Sequence, residues 1–311
     1  MRPNPFTHVL PPVALLVLTI SPLVAEDTPP QPSTLLVRSN TISSNTISSN
    51  TISSHQPRVG IEKAAARKTD SLNPLRAILI QGQESLERCR RDIQDYTCTL
   101  IAQERIDGQL QSVKCCQAKV RHHDEPGADG NGSVSIYLKY KSPESIKGRE
   151  VLWGAGQNDG KMLVRKGGSR LAFITALIEP TSEMATQNSR YTIHDFGIQR
   201  LVERMIEFGS IELAGGECQT NVVEDVDVDG RPCRLFEVIH PERRDDLPFH
   251  CARVYIDKEL QLPTRFEAYD WPSEDDGQPV LIERYAYCDL QLNVGLTPED
   301  FDKNNSEYRF R

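Results

Sequence analysis

The chain has 311 residues, of which 36 are Lys or Arg and 44 are Asp or Glu, so its formal net charge is −8 at neutral pH. This acidic surplus, with basic residues scattered along the chain, argues against binding to nucleic acid or to anionic lipid surfaces. The sequence has no phosphate-binding loop, no dinucleotide fingerprint and no Gly-x-Ser-x-Gly nucleophile motif. We therefore expect no cofactor.

Residues 1–25 are typical of a secretory signal peptide. Arg2 gives a weakly basic start, residues 13–20 form an apolar run, and Ala25 offers a small residue for cleavage. The run is too short for a transmembrane helix. The sequence therefore predicts an exported protein, periplasmic or associated with the cell envelope, with no membrane span after cleavage. An uncleaved anchor is the alternative, because signals and anchors share this pattern.

Residues 26–70 are predicted to be a disordered linker rich in Ser, Thr and Asn. A five-residue repeat, Asn-Thr-Ile-Ser-Ser, starts at Asn40, Asn45 and Asn50. The isolated Ile residues of such a polar repeat cannot build a core. Residues 71–311 remain, enough for a single β domain.

Two amphipathic helices are predicted in this domain. The first runs from residue 74 to about residue 96, with Asn73 suited to cap it. The second is inserted among the strands at residues 195–208, and Gly209 is expected to end it. The apolar face of the second helix holds Ile198, Leu201, Val202, Met205 and Ile206.

The rest of the domain is predicted to be strands joined by tight turns. Alternating apolar and polar residues indicate half-buried strands, and Asp107-Gly108 and Asp229-Gly230 indicate hairpins. Strands are predicted at residues 96–106, 109–120, 134–140, 148–153, 161–165, 170–178, 217–228, 232–240, 251–257, 262–270 and 280–290. Such short connections cannot join parallel strands, and so many antiparallel strands must curl. The fold class is therefore mainly β (α+β): a curved antiparallel sheet of about 10–11 strands with an N-terminal amphipathic helix and one inserted helix.

An even number of cysteines in an exported chain permits disulfides. The eight are Cys89, Cys98, Cys115, Cys116, Cys218, Cys233, Cys251 and Cys288. A mixture of free thiols and at most one or two bridges is expected. A bridge from Cys98 across its hairpin to the Cys115-Cys116 region is one geometric possibility, and free or separately paired thiols there are the other. Buried free thiols are the alternative.

Three polar groupings are candidate sites. Residues 225–230 begin like a calcium-binding loop, but Phe236 stands where the closing Glu is required, so a hairpin turn is the better interpretation. Adjacent His122 and His123 would point to opposite faces of a strand, and an exposed polar loop is expected at residues 122–132. The third grouping is expected to form cross-strand ion pairs on the solvent face and comprises Glu104, Glu267 and Glu283 with Arg105, Arg265 and Arg284. No catalytic residue and no metal site is predicted.

Several segments together resemble a known family. They include Asp95-Tyr96-Thr97-Cys98-Thr99-Leu100, Asn158-Asp159-Gly160-Lys161, Leu262-Pro263-Thr264-Arg265-Phe266 and Leu292-Asn293-Val294-Gly295-Leu296. Over about residues 74–311 the chain resembles the domain of unknown function 1571 family of exported bacterial proteins. More distantly it is similar to the LolA/LolB-like lipoprotein-carrier superfamily. That resemblance implies a half-open β-barrel with helices in its mouth and an apolar cavity for acyl chains.

These expectations lead to a functional hypothesis of an exported, non-enzymatic binding protein. It would hold a hydrophobic ligand, a lipid or the acyl chain of a lipoprotein, in the concave face of the sheet. The candidate lining residues are Ile136, Leu138, Leu201, Met205, Val254, Ile256 and Phe266. The alternative is a cell-envelope protein-interaction or sensory module with a filled core, an envelope protein as its partner and no small ligand.

Overall fold

The structure is a computed structural model that describes residues 74–126, 132–154, 156–170, 172–215, 218–243, 247–273 and 277–310. The predicted signal peptide and linker lie outside these residues. The helices are α1 (Pro74–Asp92), α2 (Glu183–Thr186) and α3 (Ile198–Gly215). In the described ranges, no helix has the length and apolar character needed to span a membrane.

Twelve strands form one antiparallel sheet. They are β1 (Asp95–Ile106), β2 (Gln109–Leu110), β3 (Lys114–Pro126), β4 (Gly132–Ser142), β5 (Glu150–Gly154), β6 (Met162–Arg165), β7 (Thr175–Ile178), β8 (Gln219–Val228), β9 (Arg231–Ile239), β10 (Cys251–Asp257), β11 (Leu262–Asp270) and β12 (Val280–Leu292). Their spatial order is β7-β6-β5-β4-β3-β1-β12-β11-β10-β9-β8, and β2 pairs only with β1. The sheet is not a closed barrel, since β7 and β8 end the series. The predicted fold class is confirmed.

Strand β1 lies at the centre of the sheet because the chain returns to it twice. It pairs with β3 through the Asp107-Gly108 hairpin region and with β12 from the end of the chain. Its buried residues alternate along the strand, so one face of the sheet carries the main hydrophobic core. Helices α1 and α3 contribute to that same core. We call this side of the sheet the helix-covered face.

Helices α1 and α3 pack closely and antiparallel through two glycines. A Cβ atom on Gly82 would lie 2.8 Å from Ile206 Cγ1, and one on Gly209 would lie 3.0 Å from Leu79 Cδ2. The prediction that Gly209 ends the second helix is wrong, because α3 continues for six residues beyond it, to Gly215. Gly209 lets the two helices approach each other closely. The local sequence does not show this packing requirement.

Contacts between residues far apart in sequence also explain why other elements begin or end at residues that differ from the predicted ones. Helix α1 ends at Asp92, before the predicted residue 96, and Asn293 holds this end: its side-chain Nδ2 donates to the Asp92 carbonyl at 2.7 Å and its Oδ1 accepts from Gln94 N–H at 2.8 Å. The polar loop predicted from residue 122 is wrong for His122 and His123. Both belong to β3, which pairs with β4 through this region.

All eight cysteines are free thiols in the structure, so the expected disulfides are not formed. Cys98 and Cys116 share the core face, but Cys98 lies opposite Ala118 and Cys116 lies opposite Leu100. They are diagonal neighbours, about 7 Å apart at Cβ. A disulfide needs about 4 Å at Cβ.

A second, smaller core lies on the opposite face of the sheet. It comprises Tyr137, Leu152, Leu163, Phe301, Tyr308 and Phe310. The C-terminal segment supplies three of these side chains, and the Tyr308 ring stacks on the Tyr137 ring at 3.9 Å. Beneath it, the fully buried Glu150 accepts from Tyr137 OH at 3.0 Å and from Arg309 N–H at 2.9 Å. Residues 301–310 are therefore part of the folded domain.

We expect Tyr308→Ala to lower the free energy of unfolding by about 3 kcal/mol, since it removes a buried aromatic ring and leaves a cavity beside Tyr137. Urea unfolding followed by circular dichroism measures this change. Phe173→Ala is the matched control, because Phe173 is 71% exposed, and a change within about 0.5 kcal/mol is expected there. Equal effects of the two substitutions would contradict the packing of the C-terminal segment.

Candidate functional site

An apolar cavity lies on the helix-covered face between α3, α1 and strands β9 to β11. Its volume is about 50 Å³. The lining residues are Ile78, Leu201, Arg204, Met205, Phe208, Gly209, Glu212, Phe236, Val238, Phe249, Ala252, Val254 and Phe266. Helix α3 contributes six of them at a spacing of three or four residues, which places them along one stripe of the helix. Nearly all the lining atoms are apolar, so the cavity suits hydrocarbon.

The seven residues predicted to line a ligand site fall into two groups. Leu201, Met205, Val254 and Phe266 line the cavity. Ile136, Leu138 and Ile256 are buried in the same core but do not line it. Ile136 and Leu138 belong to β4, several strands away from β9 to β11 in the sheet. As ligand contacts, all seven remain predictions.

Sequence reasoning missed several lining residues for identifiable reasons. Gly209 and Glu212 lay beyond the predicted end of the helix. Phe249 precedes β10 in a connection with no periodicity. Phe236 and Val238 alternate along β9 and could have been found as its inward-facing set, since the period of a strand is two residues.

Two of the lining residues are charged. Arg204 lies 3.3 Å from Asp195 Oδ1 and 3.0 Å from Glu207 Oε2. Glu212, eight residues further along α3, has its Oε1 at 3.1 Å from His240 Nε2. The two charged lining residues are therefore about 12 Å apart along the helix.

A separate group of ionisable side chains, all buried except the partly exposed Arg190, lies on the helix-covered face of the sheet. We call this group the carboxylate cluster. It consists of Glu104, Lys114, Arg190, Tyr191, Glu283 and Tyr285. Glu104 and Glu283 are direct cross-strand partners on β1 and β12, and they are 0% and 1% exposed. The expectation that these two carboxylates lie on the solvent face is wrong.

Each carboxylate of the carboxylate cluster has its own cation. Lys114 Nζ donates to Glu104 Oε2 at 2.6 Å, and Arg190 Nε lies 2.8 Å from Glu283 Oε2. Glu104 also accepts from Tyr285 OH at 2.9 Å and from the Arg190 backbone N–H at 3.0 Å. The predicted partner Arg105 instead donates to the Leu281 carbonyl at 2.9 Å.

The carboxylate cluster ties the segment after α2 to the middle of the sheet. Lys114 Nζ also donates to the Asn188 carbonyl at 2.8 Å, and Tyr191 OH donates to Glu283. Burial raises the pKa of Glu283 to about 7, although Arg190 and the Tyr191 hydroxyl oppose the shift. Because both carboxylates are buried and each is paired with its own cation, the arrangement fits a structural anchor better than a site for chemistry.

The third predicted carboxylate, Glu267, lies on the opposite face of the sheet and forms the expected cross-strand ion pair, but it is 2% exposed and not solvent-facing. Its Oε1 accepts from Arg265 Nη2 at 2.6 Å and from Arg284 Nε at 2.8 Å. Burial alone would raise the pKa of Glu267, but these guanidinium groups and the Tyr269 hydroxyl lower it below its ordinary value. Within the described ranges, no group of three or more His, Cys, Asp or Glu side chains is placed to hold a metal ion.

Comparison with known proteins identifies the family of this chain. A family profile described as protein of unknown function (DUF1571) matches residues 93–310. The chain belongs to the DUF1571 family. Comparison with curated proteins found no significant match. The matched region of this DUF1571 protein contains the carboxylate cluster and all the cavity-lining residues except Ile78 of α1.

Solved structures show only loose likeness to the DUF1571 domain. The MucA/MucB complex of Pseudomonas aeruginosa matches at 15% identity and a TM-score of 0.40, over 72% of this chain and 60% of that one. An outer membrane lipoprotein-sorting protein domain from Vibrio parahaemolyticus matches at 14% identity and a TM-score of 0.34, over 74% and 98%. A LolA superfamily protein from Nitrosomonas europaea matches at 10% identity and a TM-score of 0.30, over 74% and 98%. The similarity is distant, and no residue role is carried over from it.

Proposed function

We propose that this DUF1571 protein is an exported, non-enzymatic binding protein that holds a hydrophobic ligand, a lipid or an acyl chain, between α3 and strands β9 to β11. The observation that carries the proposal is the apolar cavity in that position. Binding sites for small molecules are concave and mostly apolar, with a few polar groups. The cavity has this composition, with Arg204 and Glu212 as its charged lining residues.

The size of the cavity implies that binding requires a movement of α3. A volume of about 50 Å³ is roughly a third of the ~150 Å³ that holds one benzene in an engineered protein cavity. A whole acyl chain is larger than benzene. Met205 lies between the cavity and α1, near Gly82, and its flexible side chain can repack as the space widens. The structure is thus interpreted as the closed state of a site that opens when α3 shifts.

A non-enzymatic role is supported by the state of the ionisable groups. The carboxylates of the carboxylate cluster are held by Lys114 and Arg190, and burial raises the pKa of the Cys98, Cys116 and Cys251 thiols. A raised pKa keeps a thiol protonated and therefore weakly nucleophilic.

The test is to export and purify the full chain, extract it with organic solvent and identify bound lipid by mass spectrometry. Ala252→Phe places a ring in the cavity, and we expect it to reduce bound lipid by at least about tenfold, because overfilled sites exclude ligand at a cost of a few kcal/mol. Val222→Phe on the exposed side of β8 is the control and should retain the lipid. Unfolding curves of both variants check that each one folds.

The small volume of the cavity also favours a second candidate, a cell-envelope protein-interaction module with a filled core. In that case the extract contains no lipid, and Ala252→Phe destabilises the protein without changing any ligand content. Cross-linking in the intact envelope would then identify a protein partner. Reproducible lipid in the wild-type extract and its loss in Ala252→Phe would exclude this candidate.

A further inference from the structure

The polar pair at one end of the cavity is incompletely hydrogen-bonded. Glu212 lines the cavity and is 8% exposed, and His240 is 3% exposed. His240 Nε2 lies 3.1 Å from Glu212 Oε1, yet the geometry does not make a hydrogen bond, and Nε2 has no other partner among the described residues. A buried polar atom of this kind calls for an explanation, since such atoms are nearly always hydrogen-bonded.

The His240 imidazole lies beside the cavity wall. Val238, which lines the cavity, is two residues earlier on the same side of extended chain. The His240 ring centroid is 5.4 Å from that of Phe249, another lining residue. The His240 backbone is fixed by its N–H, which donates to the His250 carbonyl at 2.7 Å. A ligand atom entering between Glu212 and Phe249 would therefore meet His240.

Glu212 can accept further hydrogen bonds. The Cys218 thiol donates to it, and burial together with Glu212 raises the pKa of that thiol. A carboxylate has about four lone-pair positions. A ligand hydroxyl or amine could occupy the remaining ones, and a hydroxyl could at the same time interact with His240 Nε2.

Charge around Arg204, the other charged lining residue, does not favour an anion. Arg204 is the cation there, but it is already flanked by the carboxylates of Asp195 and Glu207 at 3.3 and 3.0 Å. Two carboxylates against one guanidinium leave a negative surplus. A fatty-acid carboxylate would meet the like charge of Glu212, which is unfavourable at short range, or an Arg204 guanidinium that two carboxylates already neutralise.

We infer that the ligand is an amphiphile whose head group donates hydrogen bonds, a hydroxyl or an amine, and that Glu212 and His240 bind this head group at the end of the cavity. The inference rests on the proposed function, because it concerns the same cavity. Glu212 accepts from the donor group, and His240 Nε2 gains the hydrogen-bond partner that it lacks.

Competition against a fluorescent alkyl probe tests the inference with three ligands of one chain length: dodecanol, dodecylamine and dodecanoate. For the full chain near neutral pH, we expect the alcohol and the amine to bind at least about tenfold more tightly than the carboxylate. Glu212→Gln should reduce this selectivity to about threefold or less, with the amine losing most because it loses an opposite charge. Glu203→Gln is the matched control, since Glu203 lies on α3 outside the cavity and pairs with Arg90 and Arg200.

The possible outcomes distinguish failure of the head-group assignment from failure of the proposed function. Equal affinities for the three ligands, tighter binding of the carboxylate, or unchanged selectivity in Glu212→Gln would overturn the head-group assignment and leave the proposed function standing. Failure of all three ligands to displace the probe, with no lipid in the purified protein, would overturn the proposed function itself. The competition measurement on the wild-type chain is by itself a test of the head-group assignment, because it requires no substitution. His240→Gln gives a second test, in which binding of the alcohol should weaken more than binding of the amine.

Discussion

Lys114→Met is expected to lower the free energy of unfolding by about 3–5 kcal/mol. Lys114 is 4% exposed, and its Nζ is 2.6 Å from Glu104 Oε2. Removal of the ammonium leaves the fully buried Glu104 carboxylate without its cation, and it also removes the donor to the Asn188 carbonyl. The loss should be measured by urea unfolding near neutral pH.

Two comparisons separate the buried charge from a general effect of losing a lysine. Lys147→Met breaks an ion pair of similar length, 2.7 Å to Glu144, in which both side chains are exposed, and it should cost about 1 kcal/mol or less. The double variant Lys114→Met/Glu104→Gln should recover much of the loss, because the neutral amide no longer needs a cation. A cost for Lys114→Met no larger than that for Lys147→Met would show that the carboxylate cluster does not anchor the fold.

Glu283→Gln is expected to change the pH dependence of stability. The pKa of Glu283 in the folded protein is raised from 4.5 to about 7. Its contribution to stability is therefore fully present below about pH 4.5 and is lost as the pH rises through about 7. The gap between the two values corresponds to about 3 kcal/mol. The wild type should thus lose stability relative to Glu283→Gln, by up to this amount, as the pH rises from about 4.5 to 8.

Glu267→Gln provides a control of opposite sign. Arg265 and Arg284 lower the pKa of Glu267, so its contribution is present above about pH 4.5 and is lost as the pH falls through the lowered value. Relative to Glu267→Gln, the wild type should lose stability on acidification. Denaturation midpoints measured from about pH 3 to about pH 8 for the three proteins test both signs. Parallel curves for wild type and Glu283→Gln would contradict the assignment for Glu283.

The strand series and its turns were predictable because they depend on local chemistry. Asp107-Gly108 and Asp229-Gly230 both adopt positive φ in the structure, as hairpin turns of this composition require. Two helices were predicted from apolar residues that recur on one face, and both cover the sheet. These signals depend on a few neighbouring residues, so they can be recognised in the sequence without knowledge of tertiary contacts.

The candidate site was predicted only in part. Leu201, Met205, Val254 and Phe266 were found because inward-facing residues follow helix and strand periodicity. The carboxylate cluster was misjudged because a Glu in an alternating strand is ordinarily on the solvent side. Glu104 faces the core instead, where its cation and its hydrogen-bond donors come from separate segments, one of them 181 residues away at Tyr285.

The amino-acid sequence by itself determined the series of strands along the chain, their tight turns and the two covering helices of this DUF1571 domain, because each follows from residue type and spacing along the chain. Tertiary structure alone decided three further features: the passage of α3 beyond Gly209, the burial of Glu104 opposite Glu283, and the meeting of Glu212 with His240. Each depends on contacts between residues far apart in sequence, and the burial and pairing of a side chain are properties of its surroundings in space.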